Sequence, residues 1–270
     1  MLDALAKIGR TIWRDCPNCG YKEALAVTVK DGRELFKCHA GCSQADLLAA
    51  LRGHALAMRR ERSAPEKDTA SVRAFIEKLW RESFPAKGSL AETYLRARGI
   101  EILPPSLRFL PRHLHKPTEQ HFPVLIAAAM DYHGKVCAAH RTFLSPDGKG
   151  KANVSPSKMT VGPVGGLSCH FAEAGEELAI SEGIETGLSV QAATGIPTWA
   201  ALSAGGIRNL ILPPLPLASN VIIAADADPV GLRSAHDAAL VWREQGRTVR
   251  VALPPEGLDF NDVLMKGAAA

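Results

Sequence analysis

Two apolar runs in the last third of this 270-residue chain each end in acid: Leu178-Ala179-Ile180-Ser181-Glu182-Gly183, then Val221-Ile222-Ile223-Ala224-Ala225-Asp226-Ala227-Asp228. A third acidic cluster follows at Asp259-Phe260-Asn261-Asp262. Short continuous apolar runs read as strands buried on both faces of a parallel sheet. Such sheets carry their functional groups just beyond the carboxyl ends of the strands. Several carboxylates are therefore expected at one rim. Carboxylates crowded together repel, and a hard divalent cation such as Mg²⁺ relieves the repulsion while keeping coordination positions for water and phosphate.

A second chemistry lies near the start of the sequence. Cys16-Pro17-Asn18-Cys19 and Cys38-His39-Ala40-Gly41-Cys42 have the spacing of two metal-binding knuckles. No apolar leader or membrane-length run is visible, which predicts a cytoplasmic chain without a membrane partner, where thiols stay reduced. The cysteines are then better read as ligands of one Zn²⁺ than as disulfides. Between the knuckles, Leu25 to Val29, a turn at Asp31-Gly32 and Leu35 to Lys37 predict a hairpin that brings them together. Four protein ligands close a tetrahedral site and make the zinc structural. Cys16, Cys19 and Cys42 are common to both readings of the second knuckle; the fourth ligand is Cys38 across a three-residue gap, the preferred choice, or His39 across two. Cys137 and Cys169 stand alone among apolar neighbours and are expected in the core.

The elements that must position these groups divide the chain into parts. A zinc-binding module is predicted over 1–61, with a short helix starting near Ser43-Gln44-Ala45-Asp46, and a charged, proline-containing linker over 62–71. A basic α+β segment follows over 72–175. Its expected elements are a helix over about 71–84, a helix over Leu90 to Ile100 with a stop at Gly99, and strands over Phe122 to Ala128 and Lys135 to Leu144. Residues 176–270 form the acid-bearing domain, with helices at 184–194 and 231–245. Charge follows the same division: residues 1–175 hold 26 Lys and Arg against 17 Asp and Glu, whereas 176–270 hold 6 against 11. A basic front and an acidic rear suit a protein that grips a phosphate backbone with one part and collects cations with the other. Arg141, Lys149, Lys151 and Lys158 are the candidate nucleic-acid or nucleotide contacts. Gly162 to Ser168 lacks the lysine of a phosphate-binding motor loop, so unwinding is expected from a separate helicase.

The acid spacing resembles that of the Toprim domain over roughly 176–265. The glutamate motif stands as Ser181-Glu182-Gly183-Ile184-Glu185-Thr186-Gly187, and the aspartate motif as Asp226-Ala227-Asp228-Pro229-Val230-Gly231. Zinc module, basic α+β segment and Toprim domain, in that order, resemble bacterial-type DNA primases, above all the small members associated with phages and plasmids. Leu90 to Leu144 also resembles the segment before Toprim in such proteins. The resemblance implies an α/β chain with an N-terminal zinc ribbon, an α+β middle and a Rossmann-like parallel sheet at the end. It implies primer synthesis on single-stranded DNA from nucleoside triphosphates with Mg²⁺ or Mn²⁺. Glu182 takes the place of the general acid/base and is also counted among the cation ligands with Asp226, Asp228 and Asp262, Asp226 and Asp228 being catalytic through the cation, and Asp259 is a weaker transfer. The family often has an aspartate four residues after the glutamate; here that position is Thr186, and Glu185 stands one short, so its role is open. A Toprim nuclease and a non-catalytic zinc and Toprim recombination mediator are the alternatives.

Overall fold

The structure, a computed structural model, describes residues 11–19, 22, 24–30, 33–39, 42–51 and 69–267. The chain divides into two compact units, Met1–Lys67 and Asp68–Ala270. In the first, β1 (Thr11–Arg14), β2 (Leu25–Lys30) and β3 (Arg33–Cys38) form an antiparallel sheet in chain order. The register pairs Leu25 with Cys38 and Lys30 with Arg33, so the expected hairpin is present, although the Asp31-Gly32 turn itself lies outside the described residues. Helix α1, over 44–51, begins where Ser43 accepts the Asp46 N–H (3.2 Å) and donates to the Asp46 carboxylate (2.6 Å), a reciprocal cap at the helix start. Its Leu47 is fully buried against Cys16, Leu25 and Cys38, a core too small to be stable without help.

Of the expected linker, 62–68 lies outside the described residues, and from Thr69 the chain is helical. The second unit opens with α2 (Thr69–Glu82), the short β4 (Phe84–Pro85) and α3 (Leu90–Arg96). Ser89 caps α3 by accepting the Ala91 N–H, and Gly99 supplies the left-handed turn (φ 68°) after it. An antiparallel sheet follows in the order β4-β5-β6-β7-β8, with β5 (Leu107–His115), β6 (Gln120–Met130), β7 (Val136–Phe143) and β8 (Lys158–Val161). The central strand β6 is apolar on both faces because both are covered. Val124 and Ile126 meet Leu79 of α2, while Leu125 and Ala127 share a core with Tyr94, Leu95, Ile184 and Leu188. That second core joins the middle segment to the acid-bearing domain.

The last domain is a five-stranded sheet in the order β13-β12-β10-β11-β9. Strands β10 (Glu177–Ser181), β11 (Thr198–Ala200), β12 (Asn220–Ala224) and β13 (Thr248–Ala252) are parallel, and β9 (Cys169–His170) is an antiparallel edge. Helices α4 (Ile184–Thr194), α5 (Ala204–Asn209), α6 (Pro229–Glu244) and α7 (Phe260–Gly267) follow successive strands. Parallel strands require such crossovers, and the parallel pairing of β10 with β12 brings their carboxyl ends to one edge, side by side. Trp199 and Trp242 are 2% and 1% exposed at the centre of this domain. Truncating either to alanine is worth ~3–5 kcal/mol.

Candidate active site

Glu182 directly follows β10 and Asp226 lies two residues beyond β12, so the parallel pairing of these strands sets the two carboxylates on one rim. Helix α6 comes close behind the second. A Cβ on Gly231 would sit 2.7 Å from the Asp226 carbonyl oxygen and 3.2 Å from its Cβ, so only glycine lets this helix start so near. Asp228 is the N-cap of α6, and its Oδ1 accepts the N–H groups of Val230 (2.8 Å) and Gly231 (2.7 Å), leaving Oδ2 for another partner. Downstream, Asp259 and Asp262 cap each other's backbone: the Asp259 N–H donates to Asp262 (3.0 Å) and the Asp262 N–H to Asp259 (2.7 Å).

Burial, reinforced by the charges of Asp226 and Asp228, raises the pKa of Glu182, while the Ala204 N–H partly opposes the rise. Asp226 is likewise raised by burial, then by the charges of Asp228 and Asp259, with Lys158 opposing. Of the downstream pair, it is therefore Asp259 whose charge adds to the rise at Asp226. The rim holds more negative charge than the protein's own cations offset. Hard oxygen donors in that state fit a divalent cation, although among the described residues the one set of three or more candidate ligands drawn close enough to enclose an ion is the cysteine cluster of the first unit.

Glu185, in the first turn of α4, behaves in the opposite way. The Tyr94 hydroxyl donates to its Oε1 at 2.7 Å, Lys158 Nζ lies 3.1 Å from Oε2 and Lys151 Nζ 3.5 Å from Oε1. Burial alone would push this carboxyl up, but the two ammonium groups and the hydroxyl outweigh it and hold the pKa at about 2. Arg98 stacks over the Tyr94 ring, 4.1 Å from its centroid, and its charge reaches Lys151. Sequence reasoning named Lys151 and Lys158 but not Tyr94 or Arg98, which carry no motif and come near only through the fold of α3. Lys149 is exposed, with its N–H on Asp147 (3.1 Å). Arg141 stands apart from the lysines. His140 faces Lys158 and Glu185, so its strand neighbour Arg141 points to the other face of β7, toward α2, with Nη1 3.1 Å from His113 and a buried Nε lacking a partner.

In the first unit, the Sγ atoms of Cys16, Cys19, Cys38 and Cys42 all lie within 4.8 Å of one another. Cys16 faces Cys42 at 3.9 Å and Cys19 faces Cys38 at 3.8 Å. The set takes Cys38, while His39 is exposed and uses its N–H on the Ala24 carbonyl (2.8 Å). Four soft thiolates enclosing one point fit a structural zinc, and no position is left open for substrate. Cys169 is fully buried, as expected, whereas Cys137 is only half-buried at the start of β7 and directs its thiol to the Lys135 carbonyl.

Residues 177–270 match the Toprim domain family, and residues 70–171 match a domain of unknown function, DUF7146. The acid rim therefore belongs to a Toprim domain. Among solved structures, the DnaG primase catalytic domain bound to single-stranded DNA is 18% identical with a TM-score of 0.51, covering 76% of each chain. The DnaG catalytic core is 16% identical with a TM-score of 0.50, covering 73% of this chain and 75% of the other. About three quarters of the chain thus has the fold of a DnaG-type primase core. A fragment of the Aquifex aeolicus primase with zinc-binding and RNA polymerase domains is 16% identical, with a TM-score of 0.48 over 98% of this chain and 78% of that one. No curated protein matches the chain. No helix among the described residues is long and apolar enough to cross a membrane.

Proposed function

We propose that this chain is a DNA primase, a nucleotidyltransferase that builds short primers on single-stranded DNA from nucleoside triphosphates. The observation that carries the reading is the Toprim rim itself, where Glu182, Asp226 and Asp228 converge at the carboxyl edge of a parallel sheet with Lys158 facing them. The DnaG-like fold of the surrounding unit supports it.

In the reaction a 3′-hydroxyl oxygen bonds to the α-phosphorus of the incoming nucleotide, the bond to the β-phosphate oxygen breaks, and pyrophosphate leaves. Glu182, with its raised pKa, accepts the hydroxyl proton. Asp226, Asp228 and Asp259 would hold a divalent cation, with Asp262 positioning Asp259; when bound, the cation supplies neutralisation of the triphosphate charge. Lys151 and Lys158 meet the outgoing phosphates. In this reading the zinc module over 1–61 engages template, and the segment over 72–175 carries template and nucleotide to the rim. Action in phage or plasmid replication beside a separate helicase is the finer part of the proposal and rests on the sequence resemblance.

The test is a primer-synthesis assay on short single-stranded templates, with ribonucleotides and deoxynucleotides supplied separately and Mg²⁺ or Mn²⁺ added. Nucleotide-dependent products shorter than the template are expected. Release of template fragments without nucleotides would instead make the chain a Toprim nuclease.

A further inference from the structure

One buried carboxylate in this fold holds two lysines, and a third cation stacks on its tyrosine partner. Glu185 accepts from Tyr94 and faces both Lys151 and Lys158, and Arg98 lies over Tyr94 within the same electrostatic neighbourhood. A single negative charge cannot balance all three. Each ammonium has three donors and directs one toward Glu185, so the rest remain for another anion. Both lysines keep 36% of their side-chain surface exposed. Lys158 also acts on Glu182 and Asp226, which places this positive surplus directly beside the acid rim. The lysines come from β8 and from the loop before it, elements whose long side chains would otherwise sample many rotamers.

We infer that Glu185 is a positioning residue that orders Lys151, Lys158 and Arg98 into one polyphosphate-binding cradle, rather than a ligand of the rim cation. The inference rests on the nucleotidyl-transfer reading for its ligand, the triphosphate of the incoming nucleotide. Template phosphates offer the same chemistry, but the cradle's place next to Glu182 and Asp226 puts it where the reacting nucleotide ends. Electrostatics and ordering here have opposite signs. Were Glu185 only a competing anion, its neutralisation would strengthen polyphosphate binding. As the group that orders the cations, its loss weakens it.

The experiment uses the full chain with inorganic tripolyphosphate as probe, in EDTA, by isothermal titration calorimetry. Glu185→Gln and Arg98→Ala are each expected to weaken binding ~10-fold, the scale of loss when positioned groups become mobile. Tyr94→Phe, which removes one hydrogen bond and no charge, should weaken binding in the same direction and decides the matter if Glu185→Gln does not fold. In synthesis assays Glu185→Gln should raise the nucleotide KM ~10-fold with kcat within about threefold of wild type. Single-stranded DNA affinity, read by fluorescence anisotropy, should not change. No tripolyphosphate binding by the wild type, or tighter or unchanged binding in the variants, would overturn the inference, as would a loss confined to DNA affinity. Absence of synthesis by the wild-type protein, with the calorimetric pattern intact, would instead remove the primase reading and leave the cradle standing.

Discussion

At Asp226 the folded chain opposes ionisation, and at Glu185 it favours it. The raised pKa of Asp226 means that the native state binds this proton more tightly than the unfolded chain does, so ionised Asp226 costs stability as pH rises through the native value. Asp226→Asn is expected to raise the melting temperature at neutral pH, with the gain shrinking as pH falls toward the ordinary carboxylate range. Melts between pH 4 and 8 read this, and an equal shift at every pH would sink it. Glu185 carries the reverse sign. Its pKa, held at about 2, adds stability that is complete above the ordinary value of 4.5 and lost as pH falls from there toward 2. Glu185→Gln should cost about 3 kcal/mol at neutral pH and little near pH 2, since one pKa unit is worth about 1.4 kcal/mol; chemical denaturation at the two pH values checks it. Glu182, Asp226 and Asp228 were legible in the sequence because each follows an apolar run. The partners of Glu185 were not, since spacing does not reveal whether an acid in the first turn of a helix meets a cation site or lysines from a distant strand and loop. Arg141 was placed correctly in a strand, but its face follows from the register of β7 and not from its neighbours in sequence.

Among the elements, α6 and β10 decide whether the rim forms. Gly231 lets α6 approach Asp226 to contact distance, and Gly231→Ala would drive a methyl group into that residue's carbonyl. We expect a loss of ~1–3 kcal/mol from overpacking, together with a fall in synthesis, because the carboxylate itself must shift. Denaturant titration and activity on the same preparation test both parts; full activity in a destabilised variant would separate the helix from the site. The strands that carry acids, and helices α4 and α6, could be read from continuous apolar runs and their spacing. Strand β5 could not. Arg108, Pro111, Arg112, His113 and His115 hide it, and the structure accommodates that polar content with an irregularity between Leu110 and His113 beside the central β6. Short β9 and β11 were missed for another reason: two or three residues carry no period.

On the scale of the whole molecule, the two units should respond to different treatments. The first has four thiols around one point and a small apolar core, so zinc held there would supply much of its folding energy. Cys16→Ser or Cys42→Ser should abolish zinc content and unfold this unit, while the melting of the second is unchanged. Zinc analysis and calorimetry check it, and full occupancy in both variants would contradict it. The uneven charge of the chain adds a second expectation. If basic groups of the front part hold template through phosphates, affinity for single-stranded DNA should fall linearly on logarithmic axes of salt, with a slope of about −0.7 for each phosphate neutralised. The order of the three parts was legible because each announces itself by a different chemistry: paired cysteines, surplus lysine and arginine, and acids after strands.

The central claim, that the Toprim rim makes primers, is tested most directly by comparing Asp226→Asn with the wild type for synthesis and template affinity in one buffer. The rim account expects synthesis to fall ~100-fold or more, as when a group stabilising developing charge is removed, while the variant holds single-stranded DNA as tightly as before or slightly better. Wild-type synthesis in Asp226→Asn would place the chemistry elsewhere in the chain.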